Sequence, residues 1–301
     1  MIRQFKPARW LPIAFSMVLL GLANTIRAES AGENGDSGTA IDVFDSDIEE
    51  TASGWPRFGV SAGIMSVDAD GVLGVRPQNS APVTIIDFDR VGLDEHDATH
   101  WLTLTWRARD SRWGAWFANW RYDVTGSREW DDELTLPGGD VIPVGATVYS
   151  SFDANWYIFE ATYSFVQTRS VDAGLGFGFH VVDLETDLRA LVEVGDGSTE
   201  ILNGDIDTLA PLPNLVAYTY WKFLPRWSLT GRFGWFSLDY DKYGGQMTNA
   251  HVLLNYSVSP RFELGAGYQF LALDIDIERD RYREIYDIDF FGPMLFARVR
   301  F

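Results

Sequence analysis

Residues 171–181 read Val-Asp-Ala-Gly-Leu-Gly-Phe-Gly-Phe-His-Val, with an apolar side chain at every odd position and Asp, Gly or His at every even one. Alternation of this kind marks a β-strand with one greasy and one polar face. Residues 261–270 repeat it, setting Phe262, Leu264, Ala266, Tyr268 and Phe270 against Glu263, Gly265, Gly267 and Gln269. In 246–257, Ala250, Val252, Leu254 and Tyr256 oppose Asn249, His251 and Asn255. Working outward, strands are predicted at 57–67, 98–108, 112–124, 152–167, 171–184, 212–223, 227–239, 246–257, 261–275 and 289–301. No stretch carries a helical period of useful length.

Half-buried strands of a soluble sandwich alternate as well, so the pattern alone does not separate water from membrane. The connections do. Longer gaps at 68–97, 125–151, 185–211, 240–245 and 276–288 alternate with three-residue turns at 109–111, 168–170, 224–226 and 258–260. Short turns at one end and longer loops at the other are the asymmetry of an up-and-down membrane barrel. A three-residue turn also pairs odd with odd positions, which keeps Phe165, Ala173 and Leu175 together, and likewise Tyr256, Phe262 and Leu264.

The chain closes on Gly292-Pro-Met-Leu-Phe-Ala-Arg-Val-Arg-Phe301, where Pro293, Leu295, Ala297, Val299 and the terminal Phe301 face one way. In this it resembles bacterial outer-membrane β-barrel proteins. The resemblance implies an all-β, antiparallel transmembrane barrel and a terminal signal read by the barrel-assembly machinery; it implies no activity. Ten strands, an even number, put both chain ends on the periplasmic side; the alternative is eight, with two segments demoted to loop. Ala81 to Phe88 reads as a hairpin arm projecting above the membrane.

Composition agrees with this placement. The 301 residues include 12 Trp, 20 Phe and 12 Tyr but no Cys, which excludes a disordered chain, a disulfide-stapled scaffold and a cysteine metal centre. A formal charge of -19 argues against nucleic acid as a partner. Arg3, Lys6 and Arg9 before the apolar run 10–23 have the build of a secretory signal peptide, with cleavage expected after Ala28 or Ala23. Residues 29–54 read as a flexible acidic periplasmic segment, and 55–301 as the barrel.

The inward face is expected to hold a charge network of Arg107, Arg121, Asp123, Glu160, His180, Lys222, Arg232, His251, Glu263, Arg298 and Arg300, together with Asn119, Tyr218, Tyr220, Asn249 and Gln269. Charges in so narrow a space must be paired or hydrated. Glu263 is predicted to pair with Arg298 and Arg300, and Glu160 to neighbour His180 diagonally. Trp101, Trp120, Tyr122, Trp156 and Trp235 are expected as an interface girdle at the loop end, and Trp113, Tyr163, Trp221, Trp227, Tyr256 and Phe262 as one at the turn end.

The reading that follows is a largely filled surface barrel, structural or binding, acting through acidic extracellular loops among outer-membrane lipid and lipopolysaccharide. A narrow channel is the alternative. A rim hydrolase is the second alternative, with His96 and His100 near Asp94, Glu95 and Asp97 as the only pointer. No Gly-x-Ser-x-Gly, His-Glu-x-x-His or phosphate loop occurs, so no catalytic residue is assigned. No cofactor is implied beyond weak Ca²⁺ or Mg²⁺ at the acidic loops, where a bridging cation would reconcile them with lipopolysaccharide phosphates.

Overall fold

A computed structural model describes residues 54–77, 84–93, 96–131, 134–135, 141–194, 197–240, 243–278 and 282–301. The expected leader, 1–28, and all but the end of the acidic segment 29–54 lie outside the described residues. Ten long strands make the wall: β1 Phe58–Pro77, β2 His96–Arg107, β3 Trp113–Glu129, β4 Thr147–Gln167, β5 Val171–Val194, β6 Gly197–Leu224, β7 Trp227–Tyr240, β8 Tyr243–Ser257, β9 Phe262–Glu278 and β10 Tyr282–Arg300. Each pairs antiparallel with the next, and β10 returns to β1 from Gly59↔Arg300 to Pro77↔Tyr282, closing the sheet. Ten strands are present, not eight. The amides of Phe58 and Phe301 each donate to the other's carbonyl, at 3.2 and 3.0 Å, so the two ends meet.

The wall changes chemistry along its height. In the turn-side half of β4, Tyr157, Phe159, Tyr163 and Phe165 point outward and are 37–54% exposed, while Glu160, Thr162 and Ser164 are buried inside. In the loop-side half the assignment reverses. Val148, Phe152, Ala154, Trp156 and Ile158 fill the interior, and the outward positions are Tyr149, Ser151, Asp153 and Asn155. Strand β5 does the same. Leu175, Phe177 and Phe179 face out below, whereas Val182 and Leu184 face in above, with Asp183, Glu185 and Asp187 outside.

The physical cause is the medium outside. Against hydrocarbon the apolar set must point out and polar groups must shelter in the lumen. Above the bilayer the outside is water, so the hydrophobic effect drives the same residue types inward. The apolar stretch of β4, from 157 to 165, has the nine-residue length that one tilted crossing needs. At 24 and 28 residues, β5 and β6 run far past it.

Several connections therefore differ from the sequence reading. Residues 185–211 belong mostly to strands, since β5 and β6 stay paired up to Val194↔Gly197. The turns are 108–112, 168–170, 225–226 and 258–261, and the first pairs odd with even, Arg107↔Gly114. Ala81 to Phe88 is not a projecting arm where it is described. Thr84–Asp87 pairs with Val72–Val75 of β1, and a 3₁₀ turn at Asp89–Val91 carries the chain over the barrel mouth. There Phe88, Val91 and Leu93 are buried, and Leu93 bridges to Gly126. A Cβ on Gly126 would lie 1.8 Å from the Gly92 carbonyl oxygen, so glycine lets this lid seat.

A cation in mid-band tests the placement of the bilayer. Ala161→Arg should cost about 2–4 kcal/mol in denaturant unfolding from lipid vesicles, and Thr125→Lys, on the watery half of the wall, within about 0.5 kcal/mol of nothing.

Candidate functional site

Two places gather polar chemistry: the base of the lumen and the outer wall above the apolar band. In the lumen, Glu263 of β9 stands opposite Arg298 of β10 and accepts from both neighbouring guanidinium groups, Arg298 Nη1 at 3.3 Å and Arg300 Nη1 at 2.9 Å. Hydroxyls of Tyr220 and Ser257 also donate to Glu263, at 3.2 and 3.1 Å. Arg107 Nε donates to the buried Asp172 at 2.9 Å, and Tyr218 adds a hydroxyl bond to it at 3.1 Å. Arg232 pairs with Glu160 across the lumen and lies over the Trp116 ring, 4.4 Å from its centroid. The amides of Asn214 and Asn249 both reach His180 Nε2 at 3.1 Å.

These contacts bring together Arg107, Glu160, His180, Arg232, Glu263, Arg298 and Arg300 of the expected network, with the His251 ring 5.6 Å from that of Trp116 and Lys222 at the lower edge. Glu160 and His180 are diagonal neighbours, through Glu160↔Gly178, but the carboxylate goes to Arg232 rather than to the imidazole. Asp172, which carries one of the three ion-pair centres, lies outside the expected network. Its even position on the polar face of β5 was the available signal.

Arg121 and Asp123 are corrections. They face outward on β3, because the odd-with-even pairing of the first turn puts Trp116, Ala118, Trp120 and Tyr122 inside. There Arg121 binds Asp153 and approaches Asp123 at 3.0 Å. Asn119 is also outside, linked to His100 at 2.8 Å and Asn155 at 3.1 Å. The reversal of the wall above the apolar band removes Trp101, Trp120, Tyr122 and Trp156 from the expected loop-end girdle. All four are at most 2% exposed and fill the lumen. Trp235 remains outside at 44% exposure, and Trp113, Tyr163 and Trp227 mark the turn end.

The lumen is closed at three levels. At the base Trp55 is 1% exposed, donates its indole N–H to the Thr168 carbonyl at 2.7 Å and sits edge-on to Tyr220 at 4.9 Å. Lys222 Nζ covers the same ring at 4.4 Å. Above it a cavity of about 70 Å³, lined by Arg107, Tyr218, Arg232, His251, Glu263 and Arg300 among others, has room for a handful of waters. Higher still, Trp120 stacks on Trp156 with centroids 5.3 Å apart, and Phe290 meets both edge-on. The lid residue Phe88 completes the plug against Phe152 at 5.1 Å.

On the outer wall, β9, β10 and β1 carry facing aspartates: Asp274↔Asp287 and Asp70↔Asp289, with Asp276 and Asp68 beside them. These stand above the apolar band. Burial, then Asp287 and Asp70, push the Asp289 carboxyl up to about 6, and Asp274 is raised for the same reasons of burial and neighbouring charge. Among the described residues no group of three or more His, Asp or Glu is arranged to hold a metal ion.

No protein-family model matches the chain, and no curated protein matches it either. Its fold is similar to the outer membrane protease OmpT from Escherichia coli, with a TM-score of 0.52 at 11% identity over 81% of this chain and 97% of that one. A mutant of the TodX monoaromatic hydrocarbon channel gives 0.38 at 12% identity, over 82% and 91% of the two chains. Neisserial surface protein A gives 0.31 at 14%, over 81% and 97%. The closed ten-stranded antiparallel wall is the fold of bacterial outer-membrane β-barrels.

Two substitutions test these sites. Glu263→Gln leaves Arg298 and Arg300 without their shared carboxylate, and should lower unfolding free energy by about 3–5 kcal/mol. Asp289 is raised in the folded state, so its ionisation opposes folding: wild type should lose stability as pH rises from about 4 through about 6. Asp289→Asn should therefore melt higher than wild type at pH 7, and the gap should close below pH 4.

Proposed function

We propose that this protein is a plugged surface barrel of the bacterial outer membrane, exported behind a cleaved leader, that acts through its outer wall and extracellular rim. The observation that supports this most directly is the filled lumen. A solute would have to displace Trp55, the ion-paired base, the Trp120–Trp156 stack and the Phe88 lid in turn. Each buried aromatic pair adds about 0.5–1.5 kcal/mol to the area it removes from water, so thermal opening of the whole series is costly.

The wall above the band suits contact with the headgroups and sugars of the outer leaflet, lipopolysaccharide included. Ser127, Tyr149, Ser151, Asp187 and Arg189 line one open hydroxyl-rich groove there. In the last strand Pro293, Leu295, Ala297, Val299 and Phe301 share the outward face, which offers the assembly machinery an apolar row.

Planar-bilayer recording tests the reading. The purified barrel should give no steps above baseline, and Trp55→Ala should leave that result unchanged, because the aromatic plug above remains. Stepwise ohmic conductance from the folded wild type would favour a channel instead.

A further inference from the structure

Ser66, Asp68 and His96 meet on the outer wall. Ser66 and Asp68 are two apart on the outward face of β1, and the register with β2 sets Asp68 opposite His96 and Ser66 opposite Ala98. The imidazole spans both side chains. His96 Nδ1 lies 2.8 Å from Asp68 Oδ1, and His96 Nε2 lies 3.4 Å from Ser66 Oγ. A carboxylate only accepts, so in the neutral imidazole Nδ1 carries the proton, and the lone pair on Nε2 is placed to accept from the serine hydroxyl. Nucleophile, base and orienting acid stand in the order that activates a serine.

The setting selects a substrate. Ser66 is the first outward polar residue above Phe58, Val60, Ala62 and Ile64, and Ile64 is 66% exposed. Leu295, paired with Ile64, is 59% exposed and extends the apolar surface sideways. An acyl chain lying along these residues would carry its ester linkage to the height of Ser66. The β1–β10 ladder is interrupted at this spot, where Ser66 and Val67 face Gly292 and Pro293. Proline has no N–H to donate. Glycine is required beside it, because a Cβ on Gly292 would lie 1.8 Å from the Ser66 carbonyl oxygen.

We propose that Ser66 and His96, oriented by Asp68, hydrolyse long-chain carboxylic esters of outer-leaflet lipids. Ser66 Oγ gives its proton to His96 Nε2 and bonds to the acyl carbon; the carbon–alkoxy bond breaks, and the departing alcohol takes the proton from Nε2. Water then gives a proton to Nε2 and its oxygen bonds to the acyl carbon. The bond to Ser66 Oγ breaks, the serine recovers the proton, and a fatty acid leaves.

The test uses the full chain, in detergent with p-nitrophenyl palmitate and in vesicles of phosphatidylethanolamine and phosphatidylglycerol with or without lipid A. Folding of every variant is followed by heat-dependent gel mobility. Wild type should hydrolyse the chromogenic ester, and a fluorophosphonate should label the peptide containing Ser66. Ser66→Ala and His96→Ala should each lower the rate at least about 100-fold in the folded barrel. Asp68→Asn should lower kcat with KM little changed, as befits a positioning residue. Fatty acid released from the phospholipids alone, or only when lipid A is present, identifies which lipid supplies the ester. Folded wild type that hydrolyses none of these esters, Ser66→Ala that matches wild type, or a label carried by another serine would overturn the proposal.

Discussion

In hydrocarbon an unpaired backbone N–H or C=O has no water to turn to, and each such group costs several kcal/mol. An open sheet could not survive there. The ladder between β10 and β1 removes the last free edge, and it does so because Phe58, where the wall begins, and Phe301 meet at the same rim. Closure then fixes two surfaces of opposite obligation, and every later feature follows from how the side chains divide between them.

That division is legible in the sequence only in part. Alternation in 171–181 and 261–270, the spacing of the turns and the last strand together specify a ten-stranded barrel, and all ten strands are present. The change of phase was harder to see, although it leaves a trace. Where the apolar set switches sides, several apolar residues run consecutively, as in Trp156-Tyr-Ile-Phe159 and Phe270-Leu-Ala-Leu273. A strict period-two reading passes through such runs without marking them. Such a reading therefore points Arg121 and Asp123 inward and sets Trp101, Trp120, Tyr122 and Trp156 at an interface, when each occupies the opposite surface.

The lumenal pair of Glu263 with Arg298 and Arg300 needed only adjacent strands and equal height, both readable from chain order. The contact among Ser66, Asp68 and His96 needed the relative stagger of β1 and β2. A long connection of unspecified conformation joins those strands, so no turn rule fixes which residues face each other. His96 stands out in the sequence as a loop histidine among acids, whereas Ser66 carries no signal at all.

The reversal of the wall also fixes how deeply the molecule floats. Sliding toward the cell would drag Asp68, Asn119, Asp153, Asp183 and Asp289 into oil, and rising outward would lift Ile64, Phe159, Leu175 and Leu295 into water. Both moves meet a steep penalty, so the barrel has a waterline written around its circumference. A group set on that line, as Ser66 is, meets the same stratum of the bilayer in every copy.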